Sequence, residues 1–175
     1  SKQMLEEKEL LARLNKSNYA YRLHKHVSLF TVKDSLSKRG KIEGAHSKNL
    51  FLKNKQNKFF LFSCLETTKL ELKKLSKNLN LGNVSFAREE YLKKYLGVLP
   101  GSVTPFGLLN DLDHEVEFYL DKAFLSEKIV NFHPLVNTAT LSLTVKDFIS
   151  FLIENKKKVN IFDFKEYTLI DNKNV

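Results

Sequence analysis

Residues 47–65 read "SKNLFLKNKQNKFFLFSCL", two apolar runs divided by the polar tetrad "NKQN". Short runs rich in aromatic and β-prone side chains, broken by turn formers, fold as a β-hairpin. That hairpin fixes the fold class, because it demands a sheet around which the remaining segments must be arranged. The chain supplies both element types. Leu10, Leu11 and Leu14 share one helical face within residues 4–15, and "AYRLHKH" (20–26) reads as a strand. Thr31 and Asp34 form a capping box for a short helix that Gly40 can end. Leu70, Leu72, Leu75 and Leu79 suit an amphipathic helix, as does "REEYLKKYL" (88–96), with acids in its first turn. "EVEFYL" (115–120), "KIVNF" (128–132) and "TATLSL" (138–143) read as strands, and "VNIFDF" (159–164) as a last one. A helix opened by the box Thr144 to Asp147 buries Val145, Phe148, Ile149 and Leu152. The expected class is an α/β (α+β) mixture with hairpin and crossover connections side by side.

At 175 residues and 42% apolar content, the chain is expected to form one domain over 1–175. A helical extension is expected at 1–9 and a lysine-rich tail at 155–175. Cys64 is the single cysteine and has no internal disulfide partner, and no CxxC or Cys/His cluster offers a metal site. The charged N-terminal run excludes a secretory segment, and no apolar stretch reaches membrane-spanning length. The expectation is therefore a cytoplasmic protein with no metal and no cofactor.

The charge balance narrows the partners. Lys+Arg number 29 and Asp+Glu 20, a net charge of +9. Individual runs such as "KNKQNK" (53–58) and "ENKKKVN" (154–160) read as solvated turns. Their sum nevertheless favours a polyanion, RNA or DNA.

Candidate chemistry is sparse. His133 lies where His-Pro ends one strand just before another begins. The residues alone leave open a hydrogen-bonded structural role or a ring projecting into a cleft. Asp111, Asp113, His114, Glu115 and Glu117 diverge along a turn and a strand, so a solvated edge is expected rather than a metal shell. Cys64 fits a buried apolar position, and His24 and His26 are assigned to structure. Lys48 precedes "NLFL" at a strand start, where a mobile point charge could meet a phosphate or a carbonyl. Neighbouring side chains of an ideal strand point to opposite faces, so Lys48 and Asn49 share a site only if one sits at a turn or bulge. Finally, "GVLPGSVTPFG" (97–107) gathers three of the six glycines and two of the three prolines, which makes a rigid loop.

"GAHSKNLFLKNK" (44–55), "GVLPGSVTPFGLLND" (97–111) and "VNFHPLVNTATLSL" (130–143), with "HKHVSLFTVKDS" (24–35), together resemble the prolyl-tRNA editing domain family, the YbaK-like, prolyl-tRNA-synthetase-associated deacylases. The likeness runs from about Leu10 through the final helix. "KNLFLK" with "GSVTP" is more similar to the branch that clears alanine (ProXp-ala, or PrdX, type) than to the branch that clears cysteine. The resemblance implies a curved mixed β-sheet approaching a barrel with surrounding helices, and hydrolysis of mischarged Ala-tRNA(Pro) without metal, cofactor or covalent nucleophile. It places the family's loop on Gly101, Ser102, Val103, Thr104 and Pro105, its lysine and asparagine on Lys48 and Asn49, and its pocket histidine on His133. The implied partners are the tRNA(Pro) acceptor stem and prolyl-tRNA synthetase, fused or separate, with no membrane.

On this basis Lys48, Gly101 and Ser102 are the expected catalytic residues. The amides of Gly101 and Ser102 would steady a tetrahedral oxyanion, and Lys48 with Asn49 would hold the terminal phosphate or ribose. Val103, Thr104, Pro105 and His133 would line the substrate pocket, with His133 and the loop excluding the larger proline. Two alternatives stay open: a tRNA-binding appendage without hydrolytic activity, and a deacylase for mischarged cysteine or serine.

Overall fold

The computed structural model describes residues 3–31, 33, 34, 37 and 39–170. The expected hairpin is its spine. Strands β2 (Ala45–Asn54) and β3 (Phe59–Leu65) pair antiparallel from Ser47 opposite Leu65 to Lys53 opposite Phe59. Asn54 builds the turn: its Oδ1 accepts from the amides of Gln56 and Lys58, both at 3.0 Å. Asn57 takes the left-handed conformation (φ 58°) that an asparagine tolerates.

Seven further strands extend this pair: β1 (Arg22–Lys25), β4 (Val84–Phe86), β5 (Val116–Asp121), β6 (Ile129–Phe132), β7 (Ala139–Thr144), β8 (Asn160–Asp163) and β9 (Thr168–Leu169). The order is β1-β7-β6-β2-β3-β5-β8-β9, with β4 added to β2. Pairs β2–β6, β3–β5 and β5–β8 are parallel and the others antiparallel, so the sheet is mixed as expected. β1 and β9 end the path and do not pair with each other, so among the described residues hydrogen bonding does not close a barrel.

Alternation along β2 shows why two layers cover this sheet. Phe51 faces one core with Leu61, Phe118, Phe132 and Leu141, sealed by Leu10 and Leu14 of the helix Glu7–Lys16 and by Phe148, Phe151 and Leu152 of the helix Val145–Glu154. Leu52 faces a second core with Phe60, Phe62, Cys64 and Phe162, covered by Leu75 of the helix Leu72–Asn78. Burial on both faces explains why "FFLF" (59–62) is an unbroken apolar run. For the same reason β5 abandons its alternation after Glu117.

Several expectations need adjusting. Leu5 exchanges backbone hydrogen bonds with the Asn110 side chain (2.6 and 3.2 Å), so part of the expected N-terminal extension is anchored to the body. Residues 155–170, expected as a tail, supply β8 and β9, because Val159, Ile161, Phe162 and Phe164 are apolar enough to be buried. Asp111 is buried rather than solvated, and its carboxylate accepts from the amides of Glu115 and Val116 at 3.0 and 2.9 Å. Thr31 Oγ1 accepts from the Asp34 amide at 3.0 Å as expected of a cap. Residues 32, 35, 36 and 38 of that predicted helix lie outside the described residues. Among the described residues, no helix is long and apolar enough to cross a membrane.

Candidate functional site

The register of β2 decides how Lys48 and Asn49 can work together. Its pairing with β3 advances residue by residue with no bulge, so the two side chains point to opposite faces. Asn49 turns toward the first core, where its Oδ1 accepts from the Ser63 hydroxyl and its Nδ2 donates to Ser47 Oγ at 3.2 Å. Lys48 turns the other way and its Nζ donates to the Thr68 carbonyl. The turn or bulge needed to bring both side chains into one site is absent from this strand.

The face that Lys48 shares carries a polar group of residues. His46 lies two positions earlier on β2 and pairs with Asn131 of β6, which in turn pairs with Ser142 of β7. Two residues beyond Asn131, His133 falls on the same face. His46, Asn131 and His133 line a narrow hollow together with Leu29, Arg39, Ser47, Phe132 and Thr140. Asn131 is fixed from three directions. Its Nδ2 donates to the carbonyls of Glu43 (2.9 Å) and Ala45 (3.2 Å), and its Oδ1 accepts from Ser142. Arg39 donates from both terminal nitrogens to Glu66, at 2.9 and 3.0 Å, a two-point contact that fixes the plane of the guanidinium.

His133 is held as a neutral base. Its Nδ1 lies 3.0 Å from the Ala139 carbonyl, which can only accept, so the proton resides on Nδ1 and the lone pair on Nε2. Burial lowers its pKa, the Ala139 hydrogen bond opposes that, and the neighbouring His26 lowers it further. The rings of His26 and His133 meet edge-on at 6.5 Å, and His26 Nε2 accepts from Thr140 Oγ1 at 2.8 Å. His46 is also lowered, chiefly by burial, while its Nε2 donates to the Ile42 carbonyl at 2.8 Å.

The Gly/Pro loop meets this region from the side. Leu99, Pro100, Gly101 and Ser102 form a turn closed by the Ser102 amide donating to the Leu99 carbonyl at 3.0 Å. Proline second and a glycine at φ 89° third is the pattern of a type II turn. The Ser102 amide is therefore engaged within the turn, which corrects its expected role as an oxyanion donor. Among the described residues, no group accepts from the amides of Gly101 and Val103, the half-buried residues on either side of it. Thr104 and Pro105 are buried, and Thr104 Oγ1 accepts from the Phe106 amide at 3.3 Å to start the 3-10 segment Pro105–Asn110. Gly101 approaches Phe30 and Asn137, and Asn137 is tied to Leu29 of the His133 hollow by two hydrogen bonds (3.1 and 3.2 Å).

The structure thus brings His133, Gly101 and Val103 to one end of the sheet and puts Lys48 on the same face as His133. Asn49 is turned away, and Ser102, Thr104 and Pro105 support the loop from within. Cys64, opposite Lys48, is buried, and burial pushes its thiol up to about 12, which makes it inert as expected. Among the described residues, no group of His, Cys, Asp and Glu could hold a metal ion. A larger hollow of about 580 Å³, lined by Thr68, Lys69, Lys74, Asp121, Lys122 and Tyr167, lies beside the Thr68 carbonyl that holds Lys48 Nζ. Sequence reasoning passed over His46, Asn131, Arg39 and the partnership of His26 with His133. Asn131 and His133 lie two apart across the end of β6, and that spacing was the one local signal available.

A model of the aminoacyl-tRNA editing domain matches residues 26–151, which span the hollow and its loop. The chain belongs to this family. Relatives of this editing domain agree. The prolyl-tRNA synthetase associated domain-containing protein 1 of Xenopus laevis is 40% identical over 149 residues, 82% of this chain and 88% of that one. The prolyl-tRNA editing protein ProX of Acetoanaerobium sticklandii is 33% identical over 163 residues, 91% of this chain and 95% of that one. A crystal structure assigned provisionally to a trans-editing enzyme for prolyl tRNA synthetase has a TM-score of 0.63 and 18% identity. It covers 97% of this chain and 100% of that one, a likeness of fold.

Proposed function

We propose that this editing domain hydrolyses the ester between alanine and the terminal adenosine of tRNA(Pro) and spares Pro-tRNA(Pro). The observation that carries this reading is the type II turn at Leu99–Ser102, which presents a rigid main chain beside the His133 hollow. Water adds to the ester carbonyl to give a tetrahedral oxyanion. The carbon–oxygen bond to the ribose then breaks, the ribose oxygen takes a proton, and alanine leaves as a free amino acid. The amides of Gly101 and Val103, on either side of the engaged Ser102 amide, are the donor set for the oxyanion. Loss of one such donor commonly costs about 3 to 4 kcal/mol of barrier. A preorganised donor needs no reorganisation during reaction, and an aminoacyl ester is already reactive, so positioning supplies much of the rate.

Lys48 contributes a positive charge toward the terminal phosphate or ribose after releasing the Thr68 carbonyl. His133 offers the Nε2 lone pair as an acceptor for the substrate ammonium, and its ring with the Gly101 loop sets the width of the hollow. Alanine is smaller than proline, so selectivity is exclusion by size, the direction in which a rigid wall discriminates best. The names of the relatives point to prolyl-tRNA synthetase as the source of the mischarged tRNA.

The test is to incubate the purified chain with tRNA(Pro) charged separately with alanine, cysteine, serine and proline and to follow each ester. Rapid loss of alanine alone is expected. Preferential loss of cysteine or serine assigns another substrate, and stability of all four esters identifies a non-hydrolytic tRNA-binding module. His133→Ala is expected to narrow the Ala-over-Pro preference by about tenfold or more, the scale on which a methylene-sized difference is discriminated.

A further inference from the structure

Phe30 has no place in the chemistry above, yet its setting is unusual. It is 65% exposed, the most exposed of the large apolar side chains among the described residues. Val27, at 60%, is in the same short segment, and Leu99, at 58%, opens the turn that contains Gly101. Exposed apolar side chains gathered at the edge of a site mark a surface that something covers. The backbone beneath Phe30 is fixed, because Leu29 is buried and Asn137 holds both its amide and its carbonyl. The ring itself rests on Gly101: a Cβ at that position would lie 2.9 Å from Phe30 Cδ1. A bare glycine is what allows the aromatic edge to reach the loop.

We propose that Phe30 is a stacking platform for the terminal nucleobase of the bound tRNA. The inference rests on the reading of the Gly101 loop as the place where the ester is held. The base and the aminoacyl ester share one ribose, so an ester held at Gly101 leaves the base immediately outside the hollow, beside the residue that touches Gly101. Base–aromatic stacking needs a flat apolar face with one side open, and an exposed phenylalanine braced on its other side provides one. Phe30 thereby acts as a positioning residue. It fixes the ribose so that the ester carbonyl meets the loop amides, without touching the reacting atoms itself.

The experiment is a cycle of binding measurements on uncharged acceptor-stem hairpins of tRNA(Pro), one ending in the normal adenosine and one in an abasic riboside. Removal of the base is expected to weaken binding to the native chain by about 5- to 150-fold, the range of single-base stacking on an aromatic side chain. Phe30→Ala should bind both hairpins equally, close to the native chain with the abasic probe, and Phe30→Trp should restore the difference. The inference is overturned if the native chain binds both probes alike. It is also overturned if Phe30→Ala still loses affinity with the base, or if Phe30→Ala changes self-association of the free chain in place of RNA binding. The probes carry no ester, so a chain that binds in this pattern but hydrolyses no charged tRNA refutes the proposed activity alone. Hydrolysis of Ala-tRNA(Pro) without the pattern refutes the platform alone.

Discussion

At the scale of single residues, His133 and His46 give the domain a pH-dependent stability. Both are held below the ordinary 6.5, chiefly by burial. As the pH falls below about 6.5 the unfolded chain takes up protons that the folded chain refuses, so stability drops in that window and is intact above it. Each histidine contributes a slope of up to about 1.4 kcal/mol per pH unit. Urea unfolding at about pH 7.5 and about pH 5.5 should show the loss, and His133→Gln should flatten part of it. A curve unchanged between the two conditions would show that these rings are not desolvated in solution. Residue chemistry was also where the sequence was least legible. The identity of His133 could be read directly, but its neutral state depends on Ala139 and His26, and the commitment of the Ser102 amide depends on turn geometry.

At the scale of elements, the loop 97–104 is only as rigid as the segment that follows it. Gly107 in the 3-10 segment Pro105–Asn110 packs so closely on the turn Leu92–Leu96 that a Cβ would lie 2.8 Å from Leu96 Cβ and 2.9 Å from its carbonyl oxygen. Asn110 adds a hydrogen bond to the Leu96 carbonyl at 3.0 Å. Gly107→Ala is therefore expected to cost about 1 to 3 kcal/mol by overpacking and to slow deacylation as the loop shifts. Thr144→Ala provides the contrast. Its Oγ1 caps the helix Val145–Glu154 through the Asp147 amide at 3.1 Å, and its loss should cost about 1 kcal/mol with little effect on the reaction. Equal catalytic loss in the two variants, measured at matched folded fractions, would separate loop rigidity from activity. The cap and the hairpin were legible because each is written in adjacent residues. The strands Val84–Phe86 and Thr168–Leu169 were not, since pieces this short are ordered by the edges they join.

At the scale of the molecule, a net charge of +9 sets a field that attracts polyanions, the proposed acceptor stem among them, without reading bases. Binding of an acceptor-stem hairpin should weaken by roughly tenfold or more between about 50 and 200 mM salt, as expected when two or three phosphates are neutralised. An affinity indifferent to salt would assign recognition to uncharged contacts. Fold class was legible from alternating element types, and the family from three ordered motifs. The face on which each motif residue points was not, because one strand register separates Lys48 from Asn49. The proposed selectivity joins all three scales: a fixed loop beside a narrow hollow would admit an alanyl ester and exclude a prolyl one. The most direct measurement is the ratio of kcat/KM for Ala-tRNA(Pro) to that for Pro-tRNA(Pro) with the native chain. The account predicts a ratio of about a hundred or more, the upper range of discrimination by pocket size, whereas a ratio near one, or no hydrolysis of the alanyl ester, would contradict it.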